Sequence, residues 1–221
     1  MKIKVCGLRE PDNIAAVGAL PVDYLGFIFY PKSPRYVGKK DHLATWLKRH
    51  PDAVANQQRV GVFVNSEIDI ILNAVHDYGL DYVQLHGNES PAYCGELQTL
   101  WSVSSVESAR LIKVFHVDEE FDFSTTDPYA AFCPLFLFDT RSGEGSGGTG
   151  RKFDWTILDQ YQGATPFLLS GGIGPDDSTV VQKINHPQLH GIDINSRFET
   201  EPGVKDVDAI ATFVKTLEAN A

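Results

Sequence analysis

Two groups capable of proton transfer stand at the ends of short apolar segments. Cys6 ends the segment Ile3–Cys6. Asp139 directly follows Leu135–Phe138, which carries no charge of its own. A thiol whose pKa is lowered can act as a general base, and a carboxyl group desolvated by apolar neighbours is suited to act as a general acid. The structural alternatives are a cysteine that serves only as a small buried hydrophobe and an aspartate that caps the next loop.

Two glycine-rich stretches and one arginine could bind an anionic substrate. Ser170–Gly174 precedes Pro175, so backbone amides and a helix N-terminus could bind a phosphate there. Ser142–Gly150 has five glycines in nine residues, which fits a mobile lid better than a linker. Arg35 lies in a loop that two prolines stiffen, where a guanidinium can bind a carboxylate with two hydrogen bonds. A solvated loop cation is the alternative interpretation of this arginine.

These candidates follow apolar segments that alternate with helical patterns along the whole chain. The segments lack strict alternation, which is typical of parallel strands buried on both faces. They are Ile3–Cys6, Tyr24–Phe29, Arg59–Val64, Tyr82–Leu85, Leu111–Phe115, Leu135–Phe138, Pro166–Leu169 and Gly191–Ile194. Eight units of ~28 residues predict one α/β domain over residues 1–221, a single (β/α)₈ barrel with its site at the carboxyl ends of the strands. An open doubly wound sheet is the alternative.

The helical patterns differ in clarity. Apolar residues recur at helical spacing from Ile68 to Val75, after Asn65-Ser66 as a candidate N-cap pair, and again from Val207 to Leu217. Asp118–Pro134 shows no clear helical pattern. We interpret Asn65 and His116, at the ends of two strands, as ordinary loop residues.

Composition narrows the class of protein. The 221 residues are 43% hydrophobic and carry a net charge of −10, which disfavours nucleic acid and anionic membranes as partners. No apolar run is long enough to span a bilayer and the N-terminus does not resemble a secretory signal, so we expect a cytoplasmic protein. Three widely spaced cysteines predict neither a disulfide framework nor a zinc site. Without metal-ligand or dinucleotide motifs, we expect no metal and no cofactor.

Seven motifs occur together in the order typical of one enzyme family. The chain resembles the phosphoribosylanthranilate isomerases in these motifs from end to end. The motifs are Lys4–Leu8, Leu25–Phe29 with Ser33–Tyr36, Gly61–Asn65, Val83–Gly87, Phe138–Thr140 with Gly147–Gly150 and Phe153–Trp155, Leu169–Gly172, and Gly191–Asp193.

The resemblance implies a cofactor-free barrel enzyme that acts on a small phosphosugar-anthranilate. Its reaction is the Amadori rearrangement of N-(5-phosphoribosyl)anthranilate to the corresponding 1-deoxyribulose 5-phosphate. Cys6 matches the family's general base, which removes a proton from the sugar carbon next to the anomeric centre. Asp139 matches the general acid that protonates the furanose oxygen, and Arg35 matches the residue that holds the anthranilate carboxylate. The residues that match the phosphate site are Gly171, Gly172, Asp193, Asn195 and Ser196.

One position departs from the family pattern. Arg197 stands where the family usually has a glycine, which makes its side chain a candidate phosphate contact in place of a close backbone approach. His86 matches a family position without an evident chemical role. The alternative functions are a non-catalytic barrel that binds a phosphorylated metabolite, and another sugar-phosphate isomerase or lyase. Closure of an indole ring would need a lysine acid, and the motifs contain no evident lysine at a strand end. We expect a monomer or a homodimer.

Overall fold

The computed structural model describes residues 1–38, 41–103, 109–140 and 155–219. Eight parallel strands form a closed barrel in the order β1 to β8, which confirms the predicted (β/α)₈ class over the open sheet. The strands are β1 (Lys2–Cys6), β2 (Tyr24–Ile28), β3 (Gln58–Phe63), β4 (Tyr82–Leu85), β5 (Arg110–His116), β6 (Leu135–Asp139), β7 (Phe167–Ser170) and β8 (Leu189–Ile194). The predicted lid at Ser142–Gly150 lies outside the described residues.

Helices connect most of the strands on the outside of the barrel. The α-helices are α1 (Pro11–Gly18), α2 (Asp41–Arg49), α3 (Ile68–Tyr78), α4 (Pro91–Val103), α5 (Ser178–Val181) and α6 (Val207–Ala219). Short 3₁₀ helices span Pro51–Val54, Phe123–Tyr129, Trp155–Gln160, Pro175–Asp177 and Ser196–Phe198. A two-stranded antiparallel sheet, β9 (Glu199–Glu201) with β10 (Val204–Lys205), follows β8.

Local sequence signals explain where helices form and where they do not. In α3 the residues Ile71 and Val75 are buried, as the helical spacing predicts. The predicted cap at Asn65-Ser66 is wrong, because the N-cap is Glu67 and Asn65 adopts a left-handed φ of 47°. Between β5 and β6 the described residues form only a 3₁₀ helix, which contains Pro128, and proline cannot donate a backbone hydrogen bond within a helix.

The inward-facing residues of the strands change character along the barrel axis. Toward the amino ends they form an apolar interior cluster, because alternate strand residues point to the same side of a sheet. The cluster contains Tyr24, Val60, Tyr82, Ile112, Val114, Leu135, Leu137 and Leu168. Two residues further along the same faces, polar residues stand at the carboxyl ends, among them Gln84, Asp139 and Ser170. The strand period therefore directs these polar side chains into the mouth of the barrel.

None of the helices in the described part of the chain combines the length and apolar character that crossing a bilayer requires.

Candidate active site

A cavity of about 390 Å³ opens at the carboxyl ends of the strands. The predicted site residues that line it are Cys6, Arg35, Gly171, Gly172, Asp193, Asn195 and Ser196. Asp139 is not among the lining residues, but His86, which does line the cavity, lies beside it. The barrel therefore gathers residues from both ends of the sequence around one space.

Buried ionic groups surround Cys6 on the floor of the cavity. Lys4 lies two residues before Cys6 on the inward face of β1 and donates a hydrogen bond to Asp193 Oδ1 at 2.8 Å. The Lys4 side chain is fully buried and that of Asp193 is 7% exposed. On the neighbouring strand, Gly26 leaves space for the thiol, because a Cβ there would stand 2.9 Å from Cys6 Sγ. A buried ammonium group and a glycine thus define the surroundings of the thiol.

The pKa of Cys6 follows from this environment. Burial raises the pKa of Cys6 above its ordinary value of 9.0, and Asp193 adds to the increase, whereas Lys4 and Lys205 oppose it. Burial acts to lower the pKa of Lys4, but Asp193 and Cys6 hold that pKa above the ordinary 10.5, so Lys4 stays charged. In the substrate-free protein the thiol is therefore protonated at neutral pH. Its environment does not provide the lowered pKa that a free-standing thiolate base would need.

Asp139 ends β6 between two histidines. Its side chain is 2% exposed, and its Oδ2 atom lies 3.8 Å from His86 Nε2 and 4.0 Å from His116 Nδ1. Strand register brings His116 to this place, because it pairs with Asp139 across β5 and β6. Gln84, on the same face of β4 as His86, contacts His86 Nδ1 through its Nε2 atom at 3.1 Å. Two imidazoles and a carboxylate thus converge, which is a ligand set that could hold a transition metal.

Arg35 is held by an acidic partner in the substrate-free protein. Its Nε atom donates to Glu199 Oε1 at 2.8 Å, and its Nη2 atom donates to Glu199 Oε2. Lys205 Nζ also donates to Glu199 Oε1, at 2.7 Å, and to Asn195 Oδ1, at 2.8 Å. Although burial acts to raise the pKa of Glu199, the hydrogen bonds from Arg35 and Lys205 bring it below the usual 4.5. The Nε–Nη2 edge of the guanidinium can bind one carboxylate with two hydrogen bonds. In the substrate-free protein the carboxylate of Glu199 already occupies this edge.

The glycine turn after β7 has the backbone geometry of an anion site. Gly171 and Gly172 adopt φ values of 106° and 69°, in the left-handed region that favours glycine. Open space surrounds the place where a Cβ of Gly172 would stand. The expected helix N-terminus is less developed than predicted, since Pro175–Asp177 is a 3₁₀ turn and the Gly174 N–H donates to Asp177 Oδ2 at 2.8 Å. Any phosphate here must therefore use other donors than the Gly174 amide.

Arg197 extends toward this turn from the loop after β8. It lines the cavity together with Ser196 and Gly172. A Cβ on Gly174 would stand 2.5 Å from Arg197 Nε, so the glycine at this position accommodates the guanidinium stem. Arg197, which replaces the glycine usual in the family, thus lies against the turn that we predict to bind phosphate.

Sequence reasoning missed several residues around the cavity. Lys4 had a signal, because a lysine inside an apolar strand segment and in phase with Cys6 must be buried and paired. Glu199 and Lys205 had none, since only the small β9–β10 sheet brings them to Arg35. Among the described residues no lysine lines the cavity, and Lys113 on β5 binds Glu89 at 3.1 Å on the outer face of the barrel.

The fold and this site together define a class. A closed (β/α)₈ barrel with a polar cavity at the carboxyl ends of its strands and a glycine turn after β7 is typical of barrel enzymes that act on small phosphorylated molecules. In this chain a thiol also lines the cavity.

Comparisons with known proteins identify the family within this class. The family model for N-(5'-phosphoribosyl)anthranilate isomerase matches residues 3–216. The N-(5'-phosphoribosyl)anthranilate isomerase of Parabacteroides distasonis is 45% identical over 217 residues, which cover 98% of this chain and 93% of the relative. The same-named protein of Phocaeicola vulgatus is 42% identical over 219 residues, covering 99% and 98%. The chain belongs to the phosphoribosylanthranilate isomerase family.

Solved structures agree with this assignment. The phosphoribosylanthranilate isomerase of Thermotoga maritima superimposes with a TM-score of 0.79 at 30% identity and covers 99% of both chains. A phosphoribosylanthranilate isomerase in complex with reduced 1-(o-carboxyphenylamino)-1-deoxyribulose 5-phosphate gives a TM-score of 0.74 at 27% identity, again covering 99% of both chains.

Proposed function

We propose that this chain converts N-(5'-phosphoribosyl)anthranilate to 1-(2-carboxyphenylamino)-1-deoxyribulose 5-phosphate in tryptophan biosynthesis. The observation that carries the proposal is the single cavity that joins Cys6, the Arg35 loop and the Gly171-Gly172 turn. A related isomerase binds a reduced form of this product. The substrate carries one anionic group at each end, and Arg35 and the Gly171-Gly172 turn give the cavity two candidate anchors.

Asp139 begins the reaction as a general acid. It donates its proton to the furanose oxygen, the bond from that oxygen to the anomeric carbon breaks, and the nitrogen lone pair forms a C=N⁺ bond. Its carboxyl group is only 2% exposed and ends β6 at the mouth of the barrel. Its place beside His86 at the cavity wall brings it close to the substrate space.

Cys6 completes the reaction as a general base. It removes the proton from the sugar carbon next to the former anomeric centre, and the electrons of that C–H bond neutralise the iminium to give an enolamine. Tautomerisation of the enolamine yields the ketone. Only the thiolate can take up this proton, so the thiol, which is protonated in the substrate-free protein, must first lose its own proton to solvent. The charged Lys4 beside it favours the thiolate, and the acidity of the iminium C–H means that a modest base suffices. Lys4 acts here as a positioning residue through its charge.

The two anions of the substrate are assigned to different loops. We assign the anthranilate carboxylate to Arg35, whose Nε–Nη2 edge stays on Glu199 and therefore fixes the rest of the guanidinium. We assign the phosphate to the turn at Gly171 and Gly172, supported by Ser196 and Arg197. Asp193 and Asn195 act behind them by holding Lys4 and Lys205.

The decisive experiment is a turnover assay. Freshly generated phosphoribosylanthranilate loses its anthranilate fluorescence on conversion, and the purified chain should accelerate this loss. A chain that binds the product analogue but shows no turnover would instead be a non-catalytic binding barrel.

We keep a monomer and a homodimer as equal predictions for the assembly, and gel filtration with light scattering distinguishes them.

A further inference from the structure

We propose that His86, His116 and Asp139 form a zinc-binding site at the mouth of the barrel, through which Zn²⁺ inhibits the enzyme. The binding of the ion stands on the geometry of these three residues. The inhibition rests on the proposed function, because it requires Asp139 to be the general acid.

The three side chains already point their candidate ligand atoms toward one another. The candidate ligand atoms of the three side chains lie within 4.8 Å of one another, and the two histidine nitrogens stand 3.8 and 4.0 Å from Asp139 Oδ2. Ligands on one tetrahedral zinc lie about 3.3 Å apart, given metal–ligand bonds of about 2.0–2.1 Å. The observed separations exceed hydrogen-bond distance, so an ion can enter between these atoms, and binding would shorten their mutual distances by about 0.5 to 1.5 Å.

The three ligands differ in how firmly they are held. Asp139 is buried at the end of β6, and the His86 side chain is 24% exposed. His116 is 65% exposed, so its ring can turn toward an arriving ion without disturbing the core. Two ligands held by the barrel and a third, His116, on the solvent side suit the reversible binding of a cation.

Gln84 supplies a partner of the kind that metal-binding histidines have. Its amide contacts His86 Nδ1 at 3.1 Å, and none of the described residues donates a hydrogen bond to its buried Oε1 atom in this orientation. With the amide turned by 180°, Oε1 accepts the Nδ1–H of His86 and the Nε2 lone pair faces Asp139. A histidine that ligates a metal typically donates its other N–H to such an oxygen.

The donor set selects the class of ion. Two imidazoles and one carboxylate suit Zn²⁺ and similar divalent transition metals, whereas Mg²⁺ prefers oxygen ligands. A zinc ion on Asp139 Oδ2 requires the ionised carboxylate. The bound ion therefore removes the proton that ring opening needs, and no step of the isomerisation itself uses the metal.

The test uses the full-length chain, freed of metal by a chelator. Isothermal titration calorimetry should detect one Zn²⁺ per chain, and isomerase activity should fall in parallel with occupancy. Activity without zinc should survive the chelator, and Mg²⁺ at the same concentration should have no effect.

His116→Ala is the diagnostic variant. It should retain the basal activity, bind Zn²⁺ at least tenfold more weakly and lose the inhibition to the same extent. The matched control is His76→Ala, since His76 is similarly exposed at 67% and, within the described part of the chain, pairs with one carboxylate, that of Asp77. This control should bind zinc like the unmodified chain. Cys6→Ser, assayed for binding alone, should also retain the zinc site.

Four results would overturn the proposal or its inhibition step. One is the absence of stoichiometric zinc binding, and another is unchanged affinity in His116→Ala. Loss of zinc binding in Cys6→Ser with retention in His116→Ala would place the ion on the thiol. Zinc binding that depends on His116 but leaves turnover unchanged would refute the inhibition, and with it the acid role of Asp139 rather than the isomerase activity.

Discussion

The two sides of the cavity hold their proton-transfer groups in opposite ways. On the Cys6 side, Lys4 and Asp193 form a buried ion pair at 2.8 Å that is closed to solvent. On the Asp139 side, His86 and His116 stand 3.8 and 4.0 Å from the carboxylate and are partly or largely exposed. The base therefore has fixed electrostatic surroundings, whereas the acid has surroundings that protons and ions from solvent can reach. The fixed charges beside Cys6 influence the pKa of its thiol, whereas the exposed His116 lies between solvent and the buried Asp139.

The largest expected effects come from removing either group. Cys6→Ala and Asp139→Asn should each lower kcat by ~10²-fold or more, because each removes a proton-transfer group. Anthranilate fluorescence measures kcat, and circular dichroism should show an intact fold. Cys94→Ser and Cys133→Ser are the controls, since neither cysteine lines the cavity. Near-normal kcat in Cys6→Ala or in Asp139→Asn would remove that residue from the mechanism.

Lys4→Met tests whether fixed charge controls the base. Burial raises the pKa of Cys6 above 9.0 and Lys4 opposes this, so loss of the ammonium should move the pKa further upward. The thiolate is the nucleophile, so alkylation of Cys6 by iodoacetamide should accelerate only as pH rises through this pKa, and in Lys4→Met at still higher pH. Breaking a buried ion pair should also cost about 3–5 kcal/mol in the free energy of unfolding.

Lys113→Met is the matched control for this prediction. Lys113 is also a buried lysine in an ion pair, with Glu89, but on the outer face of β5. Lys113→Met should lower the free energy of unfolding by a similar amount, while the pH dependence of Cys6 alkylation stays unchanged. Equal shifts in both variants would mean that the profile reports loosened packing rather than the charge of Lys4.

Arg35→Lys tests the carboxylate anchor. Lysine keeps the positive charge but lacks the planar guanidinium, which can bind Glu199 along one edge and the substrate with its remaining N–H group. Loss of a charged hydrogen bond costs ~1.5–3 kcal/mol, so kcat/KM should fall on the order of 10–100-fold. Inhibition by inorganic phosphate should not change. A large loss of phosphate inhibition would instead place Arg35 at the phosphate end.

The smallest expected effect is that of Arg197→Gly. If the guanidinium contacts the phosphate, KM should rise and inorganic phosphate should inhibit less, by up to about fivefold, because an exposed ion pair contributes roughly 0.2–1 kcal/mol. Steady-state kinetics with phosphate as competitor measures both quantities. An unchanged KM would assign the phosphate to backbone donors such as those at Gly171 and Gly172 alone.

The sequence by itself determined the barrel and most of the residues around its mouth. The short apolar segments predict the parallel strands, because strands covered on both faces need continuous apolar runs. All eight predicted segments overlap β1 to β8, and their polar ends carry Cys6, Asp139 and the glycine turn. Asp118–Pro134, where the sequence shows no clear helical pattern, forms only a 3₁₀ helix, and Pro128 lies within it.

Only the tertiary structure decided how these groups are paired. Arg35 and Glu199 are far apart in the chain, and no local spacing signals that one holds the other at 2.8 Å. His86, His116 and Asp139 come from three strands, so the ligand spacing that reveals a metal motif within one segment does not exist here. Local sequence fixes which face of a strand a side chain occupies, because the strand period is two. Which faces meet depends on barrel closure and strand register, and these are properties of the folded chain.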